Sequence, residues 1–326
     1  MDPQQLLRIR SPRWNPSKFP ELGRGGEAVV YRLRPDTAAK VFLLPNAMEY
    51  ADQPQSQEAA RVRIREMQTK LDAFPRDLPP EVVAPTGVLV NEKGQVFGYV
   101  MPLIKGVGLD QLSRTSSIGT SKVVSTMLTK FYDLMSALHG RGVVVGDCNE
   151  HNIIVARRTP HLIDADAMQF GPYQCRTFMP RFVAPELVRA EKPEGRSKKV
   201  LATPATFSMV SPHTELTDWY SFLVIAMRLL TYTDPYGGVV AGMDLSERMD
   251  ARVTVFDQRV VYPAVARPLA EVSRPILEAF FRAFHRGERF IPDRNLFAGD
   301  VLTQTQPQKS AVQRTRRKRH VQQPES

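Results

Sequence analysis

The chain has 326 residues, of which 42% are hydrophobic and 24% are charged, and this composition is ordinary for a globular protein. No apolar run approaches the roughly 20 residues that a membrane-spanning helix needs, and the first residues lack the apolar region of a secretory signal peptide. Two cysteines without a CxxC motif predict neither a disulfide framework nor a structural zinc site. We therefore expect a cytoplasmic globular protein with no membrane partner.

The formal net charge of +10 is concentrated near the C-terminus. Residues 303–326 contain six Lys or Arg residues against one Glu, a net charge of +5 and so half of the total. Their Gln-, Pro- and Ser-rich surroundings show no apolar periodicity, which predicts a disordered basic tail. Such a tail can bind nucleic acid or an acidic partner, and a solvated end without a partner explains it equally well.

The first third of the chain alternates short β-like runs with turn residues. Proline-rich residues 1–20 predict an extended N-terminal extension, and residues 21–45, broken by Gly and Pro-Asp, predict antiparallel hairpins. Helix formers at helical spacing predict a helix over 57–74. Strands are predicted at 82–90 and 96–104, with the intervening NEKG as a hairpin turn.

The remainder of the chain is mainly helical in pattern. Residues 121–142 are amphipathic and end on glycines that suit a helix C-cap. Residues 215–232 are apolar nearly all round, which is typical of a buried helix, and residues 274–287 predict a further helix. The fold class is therefore α+β, with a small β-rich part followed by a larger helical part.

A glycine-rich stretch near the start of the predicted hairpins, "GRGGEAVVY", is a candidate phosphate-binding turn. It places Gly23 and Gly25 in a GxGxx pattern, with Ala28 where a third Gly would stand. Glycines allow backbone N–H groups to approach phosphate oxygens. Lys40 follows in "TAAKVF" and, inside a cleft, would present a point charge to the same oxygens.

A lysine in such a cleft needs a carboxylate to hold it. Glu66 on the predicted 57–74 helix is the candidate, and Glu58 on the same helix competes with it. Either residue is also explained as a solvated helix charge.

The stretch "VVVGDCNEHNIIVA" places Asp147 and Asn152 on a polar loop between two β-like runs. Twelve residues beyond Asn152, "HLIDADAMQF" brings Asp164 and Asp166 to the end of another short strand. Carboxylate and amide oxygens at neighbouring strand ends are suitable Mg²⁺ ligands. We predict Asn152 and Asp164 as metal ligands, with Asp166 as an alternative or second ligand, and Asp147 as a base that accepts a hydroxyl proton.

The order of these parts resembles a protein kinase over residues 21–302. "GRGGEAVVY" resembles the Gly-rich loop, "TAAK" the strand with the phosphate-pairing Lys40, "GDCNEHN" the HRDxxxxN loop and "IDAD" the DFG site. "RFVAPEL" contains an intact APE ending at Glu186, for which Arg289 and Arg294 are both candidate partners. "TDWYSF" is similar to the buried family helix whose Asp, here Asp218, braces the catalytic loop.

The resemblance implies a bilobal fold that binds ATP and Mg²⁺. Its N-lobe would span 21–100, its hinge 101–106 and its C-lobe 107–302. Besides Gly23, Gly25, Ala28 and Lys40, the nucleotide would contact Val30, Ala38, Met101 and Ile154.

The chain departs from the family pattern at the catalytic loop and at the DFG site. Val145 and Gly146 stand in place of His and Arg, and Asn149 in place of the Lys near the transferred phosphoryl group. Ala165 and Asp166 replace Phe and Gly. The sequence thus looks like a divergent bacterial-type Ser/Thr kinase, similar to the kinase of tellurite-resistance-associated phosphorylation modules.

Three functions are compatible with these residues. The leading expectation is Mg-ATP-dependent phosphoryl transfer to Ser or Thr of a protein, favoured by the retention of Lys40, Asp147, Asn152 and Asp164 together. The loss of a cation at the catalytic loop favours a nucleotide-binding scaffold, a pseudokinase, unless Arg24 of the Gly-rich loop compensates for it. A small-molecule kinase is the third reading, against which the APE segment and the Asp-x-Trp helix argue.

Overall fold

The computed structural model describes residues 6–11, 14–113, 121–191 and 206–303. The predicted basic tail therefore lies outside the described residues, apart from its first residue. The strands are β1 (Leu7–Arg10), β2 (Glu21–Arg24), β3 (Ala28–Arg34), β4 (Thr37–Phe42), β5 (Gly87–Val90), β6 (Val96–Pro102), β7 (Val107–Gly108), β8 (Ile153–Ala156), β9 (Thr159–Leu162), β10 (Val188–Glu191) and β11 (Thr206–Met209). The helices are α1 (Pro54–Lys70), α2 (Leu109–Ser113), α3 (Ser121–His139), α4 (Glu215–Thr231), α5 (Leu245–Asp250) and α6 (Arg274–Phe280).

The fold is mixed α+β, with a β-rich N-terminal region and helices later, as the sequence predicts. A six-stranded sheet in the order β1-β5-β6-β4-β3-β2 dominates the first 102 residues. Strand β1 pairs in parallel with β5, whereas the other neighbours are antiparallel. The predicted N-terminal extension thus contributes strand β1 to this sheet. The prolines of the extension had hidden this strand in the sequence.

Helix α1 packs beside the sheet, and its boundaries differ from the predicted 57–74. It begins at Pro54, where proline in the first turn costs no hydrogen bond, and it ends at Lys70. Met67 and the following Leu71 join the buried cluster formed by β3, β4, β5 and β6. The helix is therefore anchored to the sheet near its C-terminal end.

Helix α4 is the centre of the C-terminal region. Thr214 and Thr217 form a capping box at its N-terminus, and its residues from Thr217 to Met227 are all buried. Helices α3 and α6 pack around it in one large apolar cluster. The predicted 215–232 helix is confirmed, because a helix that is apolar on every face can only be stable when surrounded.

Two predicted helices are shorter than their patterns suggested. Helix α3 ends at His139, and the glycines beyond it form a turn in which Gly142 has a φ of +69°. The 274–287 pattern divides into α6 and a π-helical turn over Phe281–His285. Such π-turns still present an apolar face to the core, which the sequence periodicity does not distinguish from an α-helix.

A small three-stranded sheet, β7-β8-β9, lies between the two regions and positions polar residues at its ends. Residues 81–83 hydrogen-bond to β9, since Val83 N donates to Leu162 O at 2.8 Å and Leu162 N donates to Glu81 O at 2.9 Å. Ile163 N donates to Asn152 O at 3.0 Å. The loops before β8 and after β9 are therefore held side by side against the six-stranded sheet.

In the described part of the chain, no helix has the length and apolar character required to cross a membrane.

Candidate functional site

A cavity of about 750 Å³ opens between the β2–β3 hairpin, strand β4, helix α1 and the segments that precede β8 and follow β9. Most of the residues predicted for nucleotide chemistry lie in its walls. They are Gly23, Gly25, Ala28, Val30, Lys40, Glu66, Asp147, Asp164 and Asp166. The fold thus brings residues from positions 23 to 166 to one concave surface, which is the usual form of a ligand site.

Four predicted residues lie outside the wall of this cavity: Ala38, Met101, Ile154 and Asn152. Ala38 and Met101 are register partners across β4 and β6, and both belong to the same buried cluster as Ala28. Ile154 lies half-buried on β8. The residues predicted to contact adenine are therefore split between the cavity wall and the packed region beside it.

The glycine-rich hairpin has an open face. A Cβ at Gly23 would meet no other atom within 4 Å, and one at Gly25 would meet only a carbonyl oxygen at 3.8 Å. The packing of this chain therefore does not demand glycine there, and a ligand that approaches the backbone is a sufficient reason for it. Arg24 is occupied at the surface, where it donates to Glu21 at 2.8 Å and to Glu49 at 2.5 Å, so it is not available as a compensating cation.

The loop that carries Asp147 is braced from α4, as predicted. The fully buried Asp218 accepts hydrogen bonds from Val145 N at 2.7 Å and from Gly146 N at 2.8 Å. His139 Nε2 lies 2.9 Å from Asp218 Oδ2, the same oxygen that accepts from Val145 N. This carboxylate fixes the backbone immediately before Asp147.

The backbone conformation at position 146 requires the glycine that is found there. Its φ is +75°, in the left-handed region, and a Cβ there would lie 2.6 Å from Cys175 Sγ. A side chain at this position would be both strained and in collision with Cys175. Glycine therefore lets the segment around Cys175 pack directly against the loop.

Asp147 is held by two asparagine side chains. Asn149 Nδ2 donates to Asp147 Oδ1 at 2.8 Å, and Asn152 Nδ2 donates to its backbone oxygen at 2.9 Å. Burial raises the pKa of Asp147, and the hydrogen bond from Asn149 counteracts this only in part. A carboxylate with a raised pKa in a cavity is better suited to accept a proton than an ordinary one.

The expected pair between Lys40 and Glu66 is not formed. Lys40 Nζ lies 2.8 Å from Asp166 Oδ1 and 3.4 Å from Asp164 Oδ1. Glu66 and Glu58 both line the cavity, but Glu58 pairs with Arg61 instead. The prediction of a helix carboxylate as the partner of Lys40 is wrong for this structure, because the segment after β9 supplies a closer one.

The two aspartates of "IDAD" occupy different environments. Asp166 has a side chain only 7% exposed, and its Oδ1 accepts from both Lys40 and Tyr99, the latter at 2.7 Å. Burial opposes ionisation of Asp166, but Lys40 keeps its pKa below the usual value. Asp164 is 40% exposed and adopts a φ of +57°, an uncommon conformation for a non-glycine residue. Of the two, Asp164 presents the accessible carboxylate.

Burial disfavours the charge of Lys40, yet the pKa of Lys40 is raised because Asp166 and Asp164 outweigh that effect. The lysine is therefore a permanent cation in the cavity wall. A permanent charge of this kind is suited to contact phosphate oxygens.

The partner of Glu186 is Arg289 and not Arg294. Arg289 forms a two-pronged pair with Glu186, at 2.6 Å for both oxygens. Burial opposes ionisation of Glu186, but Arg289 holds its pKa below the usual range. Arg294 instead pairs with Asp133 of α3 at 2.6 Å. The sequence did not decide which of these two arginines pairs with Glu186, and the structure shows that Arg289 does.

Magnesium is implied by the family resemblance, and the donors present are compatible with it. The described residues contain no group of three or more His, Cys, Asp or Glu arranged to hold a metal ion. Mg²⁺ is commonly held by one or two protein oxygens together with phosphate oxygens and water. Asp164 is accessible, and Asn152 uses its nitrogen as a donor and so keeps its oxygen as a ligand atom.

Two contacts and one buried lysine near the site were not foreseen from the sequence. Tyr99 reaches Asp166 from β6, and Glu150 of the polar loop forms a buried pair with Arg228 of α4 at 2.6 Å. Lys70, only 2% exposed, lies in the cavity wall. Its position four residues after Glu66 places it on the same helix face, a signal that could have found it. The apolar pattern of β6 predicts that Tyr99 is a core residue, but it does not predict the hydrogen bond to Asp166.

No known protein family model matches this chain. No curated protein matches it with significance either.

Proposed function

We propose that this protein transfers a phosphoryl group from Mg-ATP to a Ser or Thr hydroxyl of a protein substrate, on a bilobal kinase-like fold. The observation that carries the proposal is the convergence of a cation, Lys40, a held carboxylate, Asp147, and an accessible carboxylate, Asp164, on one cavity beside the glycine hairpin. Each of these groups has a distinct use in phosphoryl transfer. Because these three groups line one cavity, a shared role in one reaction explains them better than three separate roles do.

Lys40 would contact phosphate oxygens of the bound nucleotide and stabilise their charge. Because it is a cation within strand β4, it needs no proton transfer to do so. Asp166 would hold Lys40 in place by accepting its hydrogen bond, and Tyr99 would orient Asp166 by donating to the same oxygen. Electrostatic groups that are positioned in advance lower the barrier without reorganising during the reaction.

Asp147 would accept the proton of the substrate hydroxyl. The hydroxyl oxygen forms a bond to the terminal phosphorus of ATP, the bond from that phosphorus to the bridging oxygen breaks, and ADP leaves with the bond electrons. The raised pKa of Asp147 suits a base that must take up this proton. The brace from Asp218 would keep its position constant.

Asp164 and Asn152 would hold Mg²⁺, and the ion would neutralise charge on the phosphates when bound. Asp166 fits this role less well, because its buried oxygen already accepts from two donors.

The choice of a protein substrate is supported by the segment around Glu186. The Glu186–Arg289 pair ties this segment to the C-terminal helices, and Arg289 also lies over the ring of Tyr220 at 4.5 Å. A segment fixed in this way can serve as a platform for an extended peptide, which a small acceptor would not need.

A nucleotide-binding scaffold is the second candidate, and Asn149 is the observation that favours it. Asn149 lies where the family has a cation, and its amide donates directly to the Asp147 carboxylate. A base that is already hydrogen-bonded is less available to a substrate hydroxyl. A scaffold would bind ATP through Lys40 without transferring its phosphoryl group.

The decisive experiment compares four variants of the full chain: Asp147→Asn, Asp164→Asn, Asp166→Asn and, as an exposed control outside the cavity, Asp133→Asn. Mg-dependent ATP binding is measured by calorimetry and phosphoryl transfer from labelled ATP to the chain and to a generic protein acceptor. We expect Asp147→Asn to bind ATP but to lose transfer, and Asp164→Asn to weaken Mg-dependent binding.

The two candidates give different outcomes. ATP binding without transfer in the unmodified protein, under single-turnover conditions, would favour the scaffold. Transfer that is equal in all four variants would refute the kinase proposal. Full activity in Asp164→Asn with loss in Asp166→Asn would instead exchange the roles of these two carboxylates.

A further inference from the structure

Lys70 is a buried cation that the mechanism above does not use. It is the last residue of α1, it is only 2% exposed, and it lines the cavity together with Asp147 and Asp164. Its Nζ lies over the ring of Phe170, 5.6 Å from the ring centre. Among the residues that the structure describes, none accepts a hydrogen bond from Nζ or forms an ion pair with it.

The charged groups around Lys70 do not neutralise it. Glu66 faces it from its own helix, Asp166 from the segment after β9, Lys40 from β4 and the thiol of Cys175 from the segment beyond. Asp166 is already paired with Lys40. Burial lowers the pKa of Lys70, and the attraction of Asp166 offsets this only in part. A buried cation without a partner is unfavourable, and an anion that enters the cavity would relieve it.

We propose that Lys70 forms an anion subsite in the wall of the cavity and that its ligand is a polyphosphate oxygen. The choice of ligand rests on the proposed function, since the same cavity carries the glycine hairpin and Lys40. A lysine ammonium on a flexible stem is suited to this contact, because it donates to oxygen atoms from several directions.

A second cation of the cavity wall supports an anionic ligand. Arg176 is exposed, lines the same cavity and forms no ion pair with the described residues. The remaining cations of the wall are already engaged, Lys40 with Asp166 and Arg63 with Glu27 at 2.9 Å. Lys70 and Arg176 are therefore the cations of the described wall that form no ion pair within the protein.

A purely structural role for Lys70 would consist of its contact with Phe170. Lys70→Met separates the two roles, because methionine keeps an unbranched side chain against the ring and removes the charge. Lys93→Met, at an exposed turn, is the matched control. Tripolyphosphate is the probe, measured by calorimetry without metal, so that neither adenine nor Mg²⁺ contributes to the affinity.

We expect Lys70→Met to bind tripolyphosphate about tenfold or more weakly, the effect of one lost charge-assisted hydrogen bond, while Lys93→Met binds as the unmodified chain does. Equal binding by Lys70→Met, or no binding by the unmodified chain, would overturn the subsite. Should Lys70→Met not fold, Lys70→Gln is measured in its place, because glutamine also removes the charge and keeps an unbranched stem. Lys70→Gln should likewise bind tripolyphosphate about tenfold or more weakly than Lys93→Met does, and equal binding would also overturn the proposal.

The test separates this inference from the proposed function. Tripolyphosphate binding that depends on Lys70, in a chain that transfers no phosphoryl group, would refute the kinase proposal and leave the subsite standing. Transfer by a chain in which Lys70→Met changes neither tripolyphosphate affinity nor kcat and KM would refute the subsite alone.

Discussion

The carboxylate of Asp218 offers the sharpest perturbation of the loop that carries Asp147. Asp218→Asn keeps the size of the side chain and removes its charge and one acceptor. The residue is fully buried on α4, so water cannot replace what is lost. The substitution therefore tests whether this single side chain fixes the loop.

The size of the effect follows from its hydrogen bonds. Oδ1 accepts from Gly146 N at 2.8 Å, and Oδ2 accepts from Val145 N at 2.7 Å and contacts His139 Nε2 at 2.9 Å. An asparagine has one oxygen, so its NH₂ group faces at least one buried N–H in either orientation. An unsatisfied buried donor costs about 1–3 kcal/mol, and each surviving bond loses the extra strength of a charged acceptor, about 1 kcal/mol. We expect a loss of about 2–4 kcal/mol from a total of about 5–15 kcal/mol.

The assay is equilibrium unfolding in urea, with Asp133→Asn as the matched control. Asp133 has the same chemistry but is 52% exposed and pairs with Arg294 at the surface, where ion pairs add little. Phosphoryl transfer measured on the folded protein should fall in Asp218→Asn as well, because the position of Asp147 is no longer fixed. If Asp218→Asn were as stable as the control, the brace would not have the energy assigned to it.

Three further outcomes are expected. If Asp147 is the proposed base, the acid limb of kcat/KM should lie above pH 3.8, the ordinary pKa of an aspartate, because burial raises its pKa and the ionised form is lost as pH falls through it. Asn149→Ala removes a hydrogen bond that lowers this pKa and should move the limb higher; an unmoved limb would exclude Asp147 as the base. Gly146→Ala should destabilise the fold more than Gly94→Ala, because both residues have positive φ but only a Cβ at position 146 meets Cys175. Equal losses of unfolding free energy would refute the steric argument. Both cysteines are buried with raised pKa, so a thiol reagent should modify them only after denaturant is added, and rapid labelling of the native chain would contradict this.

The sequence predicted the elements whose patterns are strongest. The 215–232 pattern is apolar on every face, and only a buried helix satisfies it, so α4 was found almost to the residue. Strand β1 was missed although Leu-Arg-Ile-Arg alternates apolar and charged residues, because four residues are too short a pattern and their partner β5 lies 80 positions later. Such a parallel pairing depends on the tertiary fold, which local patterns do not encode.

Site residues were predictable as a set, and their pairings were not. Motif order identified the carboxylates and Lys40 that line the cavity. It could not choose between Arg289 and Arg294, since both follow the same helix and only the fold brings Arg289 to Glu186. Glu66 was the candidate partner of Lys40, with Glu58 competing, because a lysine in a cleft needs a carboxylate and the 57–74 helix offers these two; in the structure Asp166 lies 2.8 Å from Lys40 and takes that place.

Asp166 determines how the charges of the cavity wall pair in this chain. A buried carboxylate needs a cation, and Lys40 supplies it at 2.8 Å. Glu66 is then left without Lys40, and Lys70, one turn further along α1, is left without Asp166. Among the described residues of the wall, this one buried carboxylate therefore fixes Lys40 in place and leaves Lys70 without an ion pair.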